Sequence, residues 1–127
     1  MKTIISTPKA PSAIGPYNQA TAFDKLIFTS GQIALDPQTM EIVIGGVKEQ
    51  TKQVMENLKA VLEEAGSSFE NVLKTTCYLS DMDNFVAFNE IYGQYFKGET
   101  APARSTVAVK TLPKNVLVEV DTIAFKN

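Results

Sequence analysis

The sequence predicts an α+β fold: a mixed β-sheet with two helices packed on one of its faces, in the order β-β-β-α-β-α-β-β. Three observations lead there. Short segments rich in β-branched and aromatic residues fill the first third of the chain. Two stretches with helical spacing then start at Val47 and Phe85, with a strand-like run between them, and two further strand-like runs close the sequence. The 127 residues are the size of one domain. No repeat, low-complexity tract or linker rich in Pro, Gly or Ser divides them, so residues 1–127 are expected to fold as one unit.

Lys2 to Ser6 is a brief strand. Pro8 to Pro16 holds three prolines and Gly15 and reads as an extended loop. Asn18–Phe23 and Leu26–Ile33 flank Asp24-Lys25 as a hairpin, and Asp36-Pro37-Gln38-Thr39 is a turn. Gly45-Gly46 lacks the Lys-Ser/Thr of a phosphate loop and the spacing of a dinucleotide fingerprint, so it is a turn before a helix.

Val47, Thr51, Val54, Leu58, Val61 and Ala65 then step by 4, 3, 4, 3 and 4, one face of a helix, with Gly66 where a C-terminal cap belongs. Val72–Leu79 is a strand by composition. Ser80 with Asp83 resembles a capping box at the next helix start. Phe85, Asn89, Tyr92 and Phe96 step by 4, 3 and 4 along that helix, which Gly98 and Pro102 end. Arg104–Leu112 and Val116–Phe125 are the closing strands, joined by Pro113-Lys114-Asn115. In the last one, Val116, Val118 and Val120 form one apolar face, and Leu117, Ile123 and Phe125 put apolar area on the other. Two helices cover one sheet face, so the second is expected to be covered by another subunit of a homo-oligomer.

Composition excludes several chemistries. There is no histidine, which removes Ser–His–Asp hydrolysis, Cys–His proteolysis and His-based zinc sites. Twelve Lys plus Arg against fourteen Asp plus Glu leave a net charge of −2, a poor balance for a nucleic-acid partner. One cysteine, Cys77, cannot form an intrachain disulfide and reads as a small core residue. The first residues lack a signal-peptide core, and no apolar run approaches the roughly 18–20 residues of a membrane span, so a cytoplasmic protein without membrane contact is expected.

The remaining polar residues frame the chemistry. Arg104 opens a strand and shares a face with Thr106, Ala108 and Lys110. It is either a charge at the surface or beside an acid, or a fork that grips a carboxylate in bidentate fashion. Glu119 shares a face with Leu117, Asp121 and Ile123. It is either an ion-pair partner or a base with a raised pKa. If the closing strands form a hairpin, Arg104 and Glu119 lie near the same end of it. Asp121 reads as a solvated edge residue. Asn89 interrupts an aromatic stripe and either caps a backbone group or orients a ligand. Tyr17 follows a rigid Gly15-Pro16 turn. Ser30-Gly31-Gln32 breaks an apolar strand, and a glycine there marks close backbone approach.

Five blocks in register resemble the reactive intermediate deaminase family, the Rid or YjgF family. They are Ala13-Ile14-Gly15-Pro16-Tyr17-Asn18-Gln19-Ala20, Thr29-Ser30-Gly31-Gln32-Ile33, Phe88-Asn89-Glu90-Ile91-Tyr92, Ala101-Pro102-Ala103-Arg104-Ser105, and Leu112-Pro113 with Val118-Glu119-Val120. The resemblance implies a chorismate-mutase-like (YjgF-like) fold, assembly as a homotrimer, and a ligand cleft between subunits. It implies hydrolysis of 2-imino acids such as 2-iminobutanoate and 2-iminopropanoate to 2-keto acids and ammonia, with no metal or organic cofactor. By resemblance, Arg104 holds the substrate carboxylate and Glu119 positions the attacking water. Tyr17, Ser30 and Asn89 line the cleft, and the backbone approaches the ligand at Gly31. Thr106 stands where many relatives have Cys, which leaves its backbone amide as a donor but removes any thiol role. Two further readings share the residues: a trimer that binds small acids as a regulator without turnover, and a ribonuclease or translation inhibitor. The acidic pI near 5.1 and the absence of His and of a basic aromatic platform weigh against the last.

Overall fold

Backbone pairing, which no local pattern fixes, decides how these elements come together. The computed structural model describes residues 1–127 and places six strands in one sheet: β1 (Thr3–Ile5), β2 (Ala20–Phe23), β3 (Leu26–Thr29), β4 (Val72–Leu79), β5 (Ala103–Ala108) and β6 (Val118–Phe125). The order across the sheet is β1-β2-β3-β6-β4-β5, antiparallel throughout except for the parallel β4–β5 pair. Helices α1 (Val47–Glu64) and α2 (Phe85–Tyr95) complete the expected order of elements. No helix is long and apolar enough to cross a membrane.

The closing strands do not form a hairpin, contrary to the sequence expectation. The α2 crossover returns the chain parallel to β4 along its free edge, so β5 becomes an edge strand. The chain then passes the end of β4, where Val109 N–H donates to Leu79 O and Ser80 N–H to Leu117 O, and β6 inserts between β3 and β4. A short turn at Pro113–Asn115 makes this reversal, with Lys114 and Asn115 both at positive φ (56° and 54°). It also trims the expected strands: β5 ends at Ala108 and β6 starts at Val118.

Local signals held elsewhere. The Asp24-Lys25 turn joins β2 to β3 with Phe23 opposite Leu26. The α1 stripe of Val54, Leu58 and Val61 is fully buried, and Gly66 takes φ 82° just beyond the helix. The capping box predicted at Ser80 does not form. Asp81 instead caps a short 3₁₀ turn, Met82–Asn84, its carboxylate accepting from Asp83 N–H at 2.8 Å, and α2 follows from Asn84 without a side-chain cap.

One sheet face carries the core. Ile27, Cys77, Leu79, Val118, Val120 and Ala124 are buried there against Val54, Leu58, Val61 and Phe88 of the helices. Register puts Leu26, Phe28, Ile123 and Phe125 together on the other face. There Leu26, Phe28 and Phe125 remain 42%, 44% and 37% exposed, because no element of this chain lies over them.

Candidate functional site

The sheet sorts the predicted site residues into two groups. Arg104 pairs with Thr75 of β4 and therefore projects to the helix side, at the sheet edge. Its guanidinium carbon lies 4.8 Å from the Tyr92 ring centroid and 5.4 Å from that of Phe85. One Nη1–H donates to Asn89 Oδ1 at 2.7 Å. Asn89 thus does not cap a backbone group: its oxygen serves the arginine, and its amide N–H groups have no partner in this chain. Lys48–Glu90, 2.7 Å apart, is the ion pair of the chain, and Arg104 has no carboxylate within pairing distance. Thr106 lies two residues on, opposite Cys77, with its buried Oγ1 lacking a hydrogen-bond partner. Cys77 is fully buried, as expected, and burial pushes its thiol up to about 11, which leaves it unreactive.

The second group lies on the open face. Glu119 pairs with Tyr78 and is half-buried. Burial pushes its carboxyl above the ordinary range, and the Asp121 charge adds to the shift. Asp121 is not the solvated edge residue expected. It sits half-buried on the central β6 strand, accepts from Tyr78 O–H at 3.4 Å, and is itself shifted upward, chiefly by burial. Against Glu119 runs the backbone of Gly31, where a Cβ would come within 2.8 Å of the Glu119 Cδ. The glycine signal in the sequence therefore did mark a close approach, though to a side chain of this chain.

Gly31, Glu119 and Tyr17 share one cleft of about 360 Å³, walled by Pro11, Ile14, Ile33, Leu35 and Met40, with Lys114 at its rim. Gly15 at φ 125° turns the chain into Tyr17, which is 52% exposed. Sequence reasoning missed the residue that builds this wall. Gln19 is buried, its Oε1 accepts from Thr7 N–H at 2.7 Å, and its Nε2 donates to the carbonyls of Thr7, Ala10 and Pro11. Its signals were a polar residue next to a strand start and its place in the first family block. Ser30 Oγ donates to Asn18 O at 2.6 Å, so that hydroxyl steadies the loop. Ser30, Asn89, Arg104 and Thr106 do not line the cleft.

Within one chain the two groups cannot act on one small molecule. Their β4 partners are Thr75 and Tyr78, three residues apart, or roughly 10 Å along the strand, and they project from opposite faces.

A model of the family described as Endoribonuclease L-PSP matches residues 7–126. The chain belongs to this family. It holds the Rid, or YjgF, proteins that the five sequence blocks resemble, and the fold is theirs. A RutC family protein of Synechocystis, slr0709, is 61% identical over 122 residues, covering 95% of this chain and 94% of the relative. The mouse protein named 2-iminobutanoate/2-iminopropanoate deaminase is 48% identical over 126 residues, covering 99% and 93%. Among solved structures, Escherichia coli TdcF with bound serine superposes with a TM-score of 0.91 at 42% identity, covering 98% of this chain and 99% of that one.

Proposed function

We propose that this Rid-family protein is a cytoplasmic hydrolytic deaminase of small reactive 2-imino acids, 2-iminobutanoate and 2-iminopropanoate among them. We further propose that it works as a homotrimer in which Arg104 of one copy meets Glu119 of the next. The mouse relative's name and the serine in TdcF, a small molecule with an α-carboxylate, support the substrate class. The observation that carries the reading is the guanidinium of Arg104: fixed in place, yet facing no acid of its own chain. Arg104 is exposed to solvent, and a guanidinium held in place with free N–H donors and no counter-ion offers a bidentate site for an anion.

The chemistry follows from these positions. Arg104 grips the substrate carboxylate, with the backbone amide and hydroxyl of Thr106 beside it. The imine carbon is already electrophilic, so water adds to it with a modest barrier. Glu119 takes the proton from that water, and its raised pKa suits it to this task. Tyr17 offers a phenolic donor on the same wall of the cleft. Oxygen from water stays on C2, the C–N bond breaks, and nitrogen leaves as ammonia with the protons delivered from water and Glu119. Positioning and a single base suffice, and the base alone contributes on the order of 10²–10⁴-fold. No step routes through a metal or organic cofactor.

The test couples the protein to a threonine dehydratase and follows loss of the imine. Wild-type protein speeds that loss, and Arg104→Ala abolishes the acceleration. An Arg104→Ala protein as fast as wild type overturns the proposal. Binding of 2-ketobutyrate that survives Glu119→Ala, with no turnover by either protein, would instead assign a regulatory acid-binding role.

A further inference from the structure

Arg104 is the only arginine in the sequence, and an unusual set of neighbours holds it. The Tyr92 ring beneath it is 7% exposed and packs on Phe88 and Phe96, with centroids 5.3 and 4.8 Å away. The Tyr92 hydroxyl is bonded to Thr75 Oγ1 at 2.8 Å. Thr75 is fully buried and is the residue of β4 that pairs with Arg104. The ring is therefore anchored at both ends, by core packing and by the same rung of the sheet that carries the arginine backbone. Phe85 flanks the guanidinium on the half-exposed side.

The choice of neighbours matters. An arginine closing on an anion gives up much side-chain freedom, so holding it beforehand strengthens binding. A carboxylate could hold it too, but it would neutralise the charge and compete with the ligand. An aromatic face attracts the cation and leaves its N–H donors free. Asn89 takes one donor through a neutral oxygen, and the other N–H groups have no partner in this chain.

We propose that Tyr92 is the positioning residue for Arg104: its anchored ring, with Phe85 beside it, sets the guanidinium to receive the carboxylate of a small 2-imino or 2-keto acid. This rests on the carboxylate role proposed for Arg104, and the test separates the two.

Because the chain has a single arginine, ¹⁵N-labelled protein has one arginine Nε–H resonance, which needs no assignment. In wild type it lies displaced by the ring currents of Tyr92 and Phe85. Tyr92→Phe keeps the ring and keeps that displacement and the affinity for 2-ketobutyrate. Tyr92→Leu loses the displacement, weakens 2-ketobutyrate binding about tenfold by calorimetry, and raises KM for the imine with little change in kcat. A merely structural role would lower apparent kcat through loss of folded protein and would leave KM and the 2-ketobutyrate affinity of the folded fraction unchanged. Should Tyr92→Leu fail to fold, Phe85→Leu gives a smaller loss in the same direction. Tyr92→Leu, folded and with the affinity for 2-ketobutyrate and the KM unchanged, overturns the proposal, as does Phe85→Leu in its place. A displaced resonance that tracks Tyr92 in a wild type unable to bind 2-ketobutyrate sinks the imine reading and leaves the aromatic cradle standing.

Discussion

Arg104 and Glu119 stand on opposite faces of one sheet, with β4 between their strands: Arg104 is registered against Thr75 and Glu119 against Tyr78. If both serve one reaction, each must serve it with a neighbour's counterpart. Arg104→Ala and Glu119→Ala proteins are each expected to be inactive. Mixed by co-refolding in equal amounts, they form hybrid trimers in which about a quarter of the interfaces pair an intact arginine with an intact glutamate. Imine loss should recover to about that fraction of wild-type activity. Recovery measured at zero, with hybrid trimers confirmed by mass, would refute the intersubunit site.

Gly31→Ala probes the contact between the loop and the base. The new methyl group meets the end of the Glu119 side chain, which is flexible enough to swing away without moving backbone. Folding is thus little affected, and the thermal midpoint should stay within a few degrees of wild type. The base, however, leaves its position, and kcat should fall by roughly 10²–10⁴-fold. Retained activity in coupled assays would mean that Glu119 need not sit where the structure places it.

This contact also shows where sequence reading stops. Helix α1 and strand β4 were legible because each follows from a local period: Val54, Leu58 and Val61 repeat at helical spacing, and Val72–Leu79 is β-branched and aromatic. Gly31 was legible as a close approach, but its partner was not, since Glu119 lies on the far side of the chain and meets it through the Gln32–Val120 bridge. The hairpin expectation for β5 and β6 failed for the same reason. Adjacency in sequence favours pairing, but the α2 crossover had already committed β5 to the outer edge of β4. Once that register is known, the faces of Arg104 and Glu119 follow from the period of two. The role of Asn89 was equally hidden, because its partner sits fifteen residues away on another element.

The upward shift at Glu119 carries a pH prediction. Its base form exists above its pKa and is lost as pH falls through it, so kcat/KM has an acid limb above the ordinary carboxylate range. Burial is the larger cause and the Asp121 charge the second. Asp121→Asn removes that charge, eases ionisation of Glu119, and moves the acid limb to lower pH. Stability changes with it. A carboxyl whose pKa is raised on folding costs stability above its folded pKa and costs nothing below its unfolded one. Asp121→Asn should therefore stabilise the protein at neutral pH and make little difference below about pH 3. An acid limb that stays put or moves upward in the rate profile would show that the two carboxyls do not interact.

Thr106 gives a last prediction with stability and binding moving in opposite directions. Its hydroxyl oxygen is buried and has no hydrogen-bond partner in the chain. An orphaned hydroxyl costs about 1–3 kcal/mol relative to an apolar group of the same shape. Thr106→Val keeps the shape and removes the orphan, so the free protein should melt a few degrees higher. If a bound small acid supplies the missing partner, the same change removes a donor to it, and the stabilisation that 2-ketobutyrate confers should shrink in parallel melts with and without the acid. Thr106→Ser, which retains the hydroxyl, should keep the ligand-induced rise. A valine variant that melts higher and still gains the full ligand-induced increment would leave the Thr106 hydroxyl without a part in binding, and the carboxylate grip would then rest on Arg104 and backbone amides alone.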